Sequence, residues 1–192
     1  PEPPAPDTSS TPFDFTVRDL SIRNTGWSYT DESSGLDTRG RIGTMKLSKA
    51  RFDLLQTLIE AEELALEKTT ASLDFLQPMD TAAALPADTP SAPNTWKVAA
   101  KSVQAREVNF SMDNHLAPPL PYKDAVDYNH LGITGLFLDV NDLVYSEDST
   151  LLTIRNGALK EKSGMHMKAL RGKVRYSPKE ARLQQFLLQN AE

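Results

Sequence analysis

The sequence predicts a mainly β protein built from repeated short antiparallel strands, with little helix. Three observations carry this reading. Apolar residues recur in steps of two, as they do when alternate side chains of a strand point to one side. An odd step, usually of three, interrupts the alternation without losing the apolar side. Two polar segments rich in proline separate blocks that share the pattern.

The opening PEPPAPDTSSTP (1–12) is too polar and too rich in proline to bury anything and reads as an arm or linker. The first unit spans 13–76, with apolar positions at Phe15 and Val17, then Leu20 and Ile22, then Trp27 and Tyr29. Each step of three requires one extra residue to be absorbed, which a β-bulge or tight bend does while adding twist. Residues 77–95, QPMDTAAALPADTPSAPNT, form a second linker or loop. The second unit, 96–192, repeats the theme at Trp96, Val98, Val103, Ala105, Val108, Phe110 and Met112. A loop at 113–129 interrupts it, and the pattern resumes at Leu131, Ile133, Leu136, Leu138 and Val140.

ARFDLLQTLIEAEELALE (50–67) is rich in good helix formers and competes with the β reading. The internal repeat arbitrates. A shift of 81 places Phe15, Val17, Ile22, Trp27 and Tyr29 on Trp96, Val98, Val103, Val108 and Phe110. Further on, LIEAEELALEKTT aligns with LLTIRNGALKEKS, whose Asn156-Gly157 is a turn signal that breaks a helix. Strands are therefore expected in both copies.

Composition excludes several functions. The chain has 192 residues and a formal net charge of −5, with 21 basic residues interspersed among 26 acidic ones. A nucleic-acid binder concentrates its basic residues in a patch or stripe. Without cysteine there are no disulfides, thiolate zinc sites or Cys nucleophiles. No apolar run approaches the ~20 residues of a membrane helix. The chain starts at Pro1 and stops at Glu192 directly after an apolar run, so both ends are expected to be internal boundaries of a longer protein.

No catalytic, cofactor or metal site is expected. Of His115, His130 and His166, none has a partner at i+2 or i+4 that would make a zinc pair. Asp127-Tyr128-Asn129-His130 sets an acid near an imidazole, but no nucleophile or oxyanion hole accompanies them; a turn and strand entry is expected. Glu60, Glu62, Glu63 and Glu67 lack the glycine and alternating Asp/Asn of a calcium loop and read as a solvated strand face. Gly40-Arg41-Ile42-Gly43 is too short to cradle phosphate. Trp27 and Trp96 fall on apolar positions and read as core rather than as sugar platforms.

FTVRDLSIRNTGWSYTDESS, RFDLLQTLIEAEELALEKTTASLDF and the long run from VDYNHLGITGLFLDV to KALRGKVRY resemble the AsmA-like/TamB proteins of Bacteroidetes-type bacteria. The recurring theme stands here as Asp127-Tyr128-Asn129-His130, two strands, and Lys160-Glu161-Lys162-Ser163-Gly164. The resemblance covers most of 13–190 and leaves out the arm and 77–95. It implies strands curled into a partly open, taco-like trough with an apolar interior. It further implies a periplasmic, cell-envelope location, within a longer parent anchored in the inner membrane. The implied function is non-catalytic: carriage of phospholipid or another acyl-chain ligand between membranes, or help in outer-membrane protein assembly, with outer-membrane assembly proteins as partners. The lining expected of such a trough is Phe15, Val17, Ile22, Trp27, Tyr29, Trp96, Val98, Val103, Val108, Phe110, Ile133, Leu136, Leu138 and Val140.

Two other readings compete. A pair of closed β-sandwich modules for adhesion or carbohydrate binding requires two filled cores and no continuous apolar channel. A hydrolase resting on Asp127 and His130 is the third.

Overall fold

A computed structural model describes residues 14–77, 96–121 and 125–190. The expected arm and, apart from Gln77, the expected linker at 77–95 lie outside them. The described residues contain no helix. The strands are β1 (Asp14–Asp31), β2 (Leu36–Asp53), β3 (Leu58–Glu67), β4 (Thr70–Phe75), β5 (Lys97–Asn114), β6 (His130–Ser146), β7 (Ser149–Glu161), β8 (His166–Ser177) and β9 (Glu180–Asn190). The helix-prone stretch 50–67 is the end of β2, a turn, and β3. Its propensity yields to pairing on both flanks, because β3 is hydrogen-bonded to β2 on one side and β5 on the other.

All nine strands of the described residues belong to one sheet, in the order β1-β2-β3-β5-β6-β7-β8-β9, with β4 also lying between β2 and β5. β3 and β4 act as one rung, interrupted at Lys68 and Thr69, and each is antiparallel to β2 and parallel to β5. Every other pairing is antiparallel. The parallel junction departs from the all-antiparallel expectation. It is permitted by the long connection from 76 to 96, since parallel neighbours need a crossover of a dozen or more residues.

Short polar side chains close the turns. Asp31 Oδ1 accepts hydrogen bonds from Ser33 N (3.0 Å) and Ser33 Oγ (2.6 Å), and Gly35 supplies the positive φ (68°) that returns the chain into β2. Asp53 Oδ1 accepts from Gln56 N (2.9 Å) at the next turn.

Strands β1, β2 and β5 each run for 18 residues because the steps of three are absorbed inside them. Within or directly opposite these steps the backbone turns left-handed: Asn24 (φ 51°), Lys49 (φ 48°, facing the Val17–Leu20 step of β1), Glu107 (φ 54°), Gly135 (φ 61°) and Asp142 (φ 54°). Lys68 (φ 49°) does the same between β3 and β4. Each kink consumes one residue, so the alternation resumes in phase. In β2, for example, Phe52, Ala50, Leu47 and Met45 stay on one side across Lys49, paired with Phe15, Val17, Leu20 and Ile22 of β1.

The left-handed kinks also correct the repeat alignment. Asn24 and Glu107 lie 83 residues apart, and cross-sheet register puts Phe15 level with Val98 through Phe52 and Ile59. The 81-residue shift keeps the right side of the strand but stops one pleat short. Asn156-Gly157 is not a turn either. It lies within β7, where Gly157 is buried and a Cβ would come within 3.2 Å of Leu138 and 3.3 Å of Leu170.

Strands touch only their hydrogen-bonded neighbours among the described residues. Among the described residues no second layer faces the sheet and its two edge strands do not meet, which departs from the closed-sandwich alternative. Burial follows suit: among the described residues only Ala50, Ala100, Ala105, Val140 and Met167 are buried apolar residues, and no side chain is completely enclosed.

Candidate functional site: the apolar face of the sheet

Side chains of directly paired residues lie on the same side of a sheet. The register therefore assembles rows that cross it. Leu20, Leu47, Leu64, Val103, Val140 and Ile154 form one unbroken row from β1 to β7. Ile22, Met45, Leu66, Ala105 and Leu138 form the next, and Phe15, Phe52, Ile59, Val98 and Tyr145 another. Beyond the kinks, Trp27, Gly40, Ala71, Phe110 and Ile133 continue the same face.

Aromatic groups pave parts of it. Phe15 and Phe52 stack with ring centroids 4.7 Å apart and planes 7° off parallel. The Trp27 indole lies over Gly40, where a Cβ would come within 2.7 Å of the ring and 2.4 Å of the Thr70 carbonyl. Phe186 covers Gly172 in the same manner, 2.9 Å from the position a Cβ would take. An aromatic ring laid over a glycine fills the hole that the missing side chain leaves in a sheet.

The opposite face is charged and hydrogen-bonded. Glu62 accepts from Lys49 (2.6 Å) and Lys101 (3.0 Å), and their hydrogen bonds hold its carboxyl down at about 2. This fits a solvated strand face for the Glu60–Glu67 cluster, with the refinement that Glu62 is ion-paired across three strands. Arg51 bridges Asp14 (3.0 Å), Asp53 (3.2 Å) and Glu60 (3.8 Å). Arg106 donates to Asp139 Oδ1 and to the Leu138 carbonyl (3.1 Å) while lying 4.0 Å over the Phe137 ring, which shields an aromatic on the wet side.

Asp127-Tyr128-Asn129-His130 is a turn and the first residue of β6. Asp127 Oδ1 accepts from Asn129 N (3.0 Å) and Oδ2 from Leu120 N (2.8 Å), and the Leu120 bond leads in lowering its carboxyl. His130 is engaged at both ring nitrogens, by Asp113 Oδ1 (2.5 Å) and the Ala117 carbonyl (3.0 Å). The Asp113 bond raises the His130 imidazole and lowers the Asp113 carboxyl. A histidine locked in this way has no free nitrogen with which to act as a general base.

Lys160-Glu161-Lys162-Ser163-Gly164 covers the end of β7 and the turn toward β8, and lies beside the start of β6. Gly132 N and Ser163 N donate to the buried Glu161 carboxylate (3.1 and 2.7 Å), and Lys162 N donates to the Gly132 carbonyl (2.9 Å). Burial pushes the Glu161 carboxyl up, but the Ser163, Gly132 and Lys162 hydrogen bonds prevail and hold it below its usual range. The two halves of the recurring motif thus meet at one end of the sheet.

Of the expected lining residues, all but Trp96 lie in strands; Trp96 immediately precedes β5. Val103 pairs with Val140, Ala105 with Leu138, Val108 with Leu136, and Phe110 with Ile133, so the structure gathers these residues on one side. Leu20, Met45, Leu47, Phe52, Leu64 and Leu66 belong to the same face and were missing from the expected set. For Phe52, Leu64 and Leu66 the signal was the same spacing, masked by the helix-like composition of 50–67; Leu20, Met45 and Leu47 lie outside that stretch, and Leu20 shows the spacing openly.

The described residues define an open, single-layer β protein with one apolar and one polar face, and none of its elements is a helix able to cross a membrane. No family model matches the chain, and neither curated proteins nor solved structures provide a match.

Proposed function

We propose that this chain is a non-catalytic segment of an AsmA-like/TamB envelope protein. Its sheet curls into a partly open trough whose apolar face carries the acyl chains of phospholipid, or shelters segments of outer-membrane proteins during assembly. The observation that supports this is the uncovered apolar face: rows of Leu, Ile, Val and Phe cross the sheet with no facing layer among the described residues. A sheet with one greasy side must cover it or curl around it.

The dimensions suit the task. Eighteen residues at about 3.3 Å each give a face roughly 60 Å long, several times the ~15 Å half-thickness of a bilayer's hydrocarbon core. Transferring a chain of ~16 carbons out of water, at about 0.8 kcal/mol per methylene, stabilises the complex by on the order of 10 kcal/mol. Solvation is the whole of the work, which is why no catalytic group is needed. A periplasmic location and contact with outer-membrane assembly proteins follow from this reading.

Neighbouring residues on opposite faces test it. A photoreactive side chain at Val103 is expected to crosslink phospholipid in cells, whereas one at Gln104, paired with Asp139 on the wet side, is not. Native mass spectrometry should show lipid carried through purification, and Leu64→Asp should abolish it. Equal labelling at both positions, or no lipid at either, refutes the proposal.

A further inference from the structure

We propose a second site, on the polar face at the end of the sheet: Asp74, Asp113 and His115 bind a divalent transition cation of the zinc class. One ligand atom from each lies within 4.8 Å of the others, and His115 Nε2 is 3.6 Å from Asp74 Oδ1. Two carboxylate oxygens and one imidazole nitrogen form a donor set that zinc accepts, with its fourth position open to water.

The main chain brings these groups together. Asp74 and Asp113 are directly opposed in the parallel β4–β5 pairing, and like charges so placed repel. His115 N donates to the Phe75 carbonyl (3.0 Å), which ties the imidazole to the residue following Asp74. His130, opposite Asp113 in β6, occupies one oxygen of that carboxylate and leaves the other to a metal. A ligand held by a hydrogen bond from behind is the usual support of a metal site. Zinc bonds of about 2.0–2.2 Å place donors roughly 3.4 Å apart. Closing to that distance is within reach of side-chain rotation, since Asp74, Asp113 and His115 are 25%, 46% and 50% exposed. Asp113 stands two residues before His115 in the chain, and Asp74 joins them only through the β4–β5 pairing.

The site is independent of the acyl-chain reading, and its test needs no lipid. The metal-free protein is titrated with zinc alone by calorimetry and thermal unfolding, and with cobalt(II) for its visible absorption. Zinc should raise the unfolding midpoint of the wild type, and cobalt should give the intense bands of a four-coordinate site. His115→Gln should weaken zinc binding by at least about tenfold. Asp74→Asn should lose the zinc response while the metal-free variant unfolds no earlier than wild type, because the opposed charges are gone. A wild-type midpoint unmoved by zinc, an equal rise in all variants, or calcium binding indifferent to His115→Gln overturns the proposal.

Discussion

Replacing Glu107 by glycine should stabilise this protein, although glycine inside a strand ordinarily destabilises it. Glu107 lies mid-strand in β5 at φ 54°, is exposed, and sits where the β5–β6 register shifts between Ala105 and Val108. A left-handed conformation costs an L-residue roughly 1–2 kcal/mol, and glycine escapes it. Against this stands glycine's greater loss of freedom on folding, about 0.5–1 kcal/mol. The balance for Glu107→Gly is a gain of about 0.5–1 kcal/mol. Gly135 in β6, at φ 61°, supplies the compensating kink and should behave in the mirror sense. A Cβ there meets nothing within 4 Å, so sterics alone make Gly135→Ala harmless. The backbone argument, less the freedom that alanine does not lose on folding, makes it destabilising by about 0.5–1 kcal/mol. Equilibrium urea unfolding at a common slope measures both, with Ser111→Gly on an ordinary stretch of β5 as the control. In thermal unfolding each kcal/mol appears as about 2–4 °C. If Glu107→Gly loses stability as Ser111→Gly does, or Gly135→Ala is neutral, the kinks are absent and the in-phase apolar face needs another cause.

Gly40→Val should cost about 1–3 kcal/mol, since its Cβ collides with the Thr70 carbonyl and displaces the Trp27 ring. Its tryptophan emission should shift as the indole lifts away; an unchanged spectrum would contradict the packing. Glu62, held at about 2 from an ordinary 4.5, contributes stability that is fully present above 4.5 and is lost as pH falls toward 2. The difference in urea midpoint between wild type and Glu62→Gln should accordingly shrink through that window, and a difference that persists at pH 2 counts against the Lys49–Glu62–Lys101 bridge. Arg106→Ala should expose Phe137 and cost about 0.5–1 kcal/mol through the lost ring contact, beyond any effect of Asp139→Asn alone. Additive double-variant behaviour would show that ring and ion pair act separately.

Alternation was legible because it is a local property. Phe15, Val17, Leu20 and Ile22 carry their spacing in the sequence, and the step of three marks where a kink must fall. What a step cannot reveal is how strands are ordered. That Leu58 pairs with Lys97 in parallel depends on a connection whose own residues carry no pattern, and no spacing distinguishes it from another hairpin. Strand propensity was also a poor guide in 50–67, where pairing on two flanks outweighs helix preference. Asn156-Gly157 misled for a related reason: the same dipeptide suits a tight turn and a crowded strand, and only Leu138 and Leu170 decide which. The Asp74–Asp113–His115 grouping was hidden because Asp74 reaches the neighbouring Asp113 and His115 only through the β4–β5 register.

The parallel seam also has a consequence for assembly in time. Asp31 meets Leu36, Ser146 meets Ser149, and Ser177 meets Glu180 across tight turns, so these pairs can zip outward from their own bends. The β3/β4–β5 border joins residues such as Leu58 and Lys97 that are remote along the chain, and closing so long a loop is slow. Two flaps should therefore form early and dock late, and under mechanical load the protein should tear first along that border. Amide hydrogens bridging it, such as those that Lys68 and Asn109 donate to Arg106 and Thr69, should be the first to exchange with solvent.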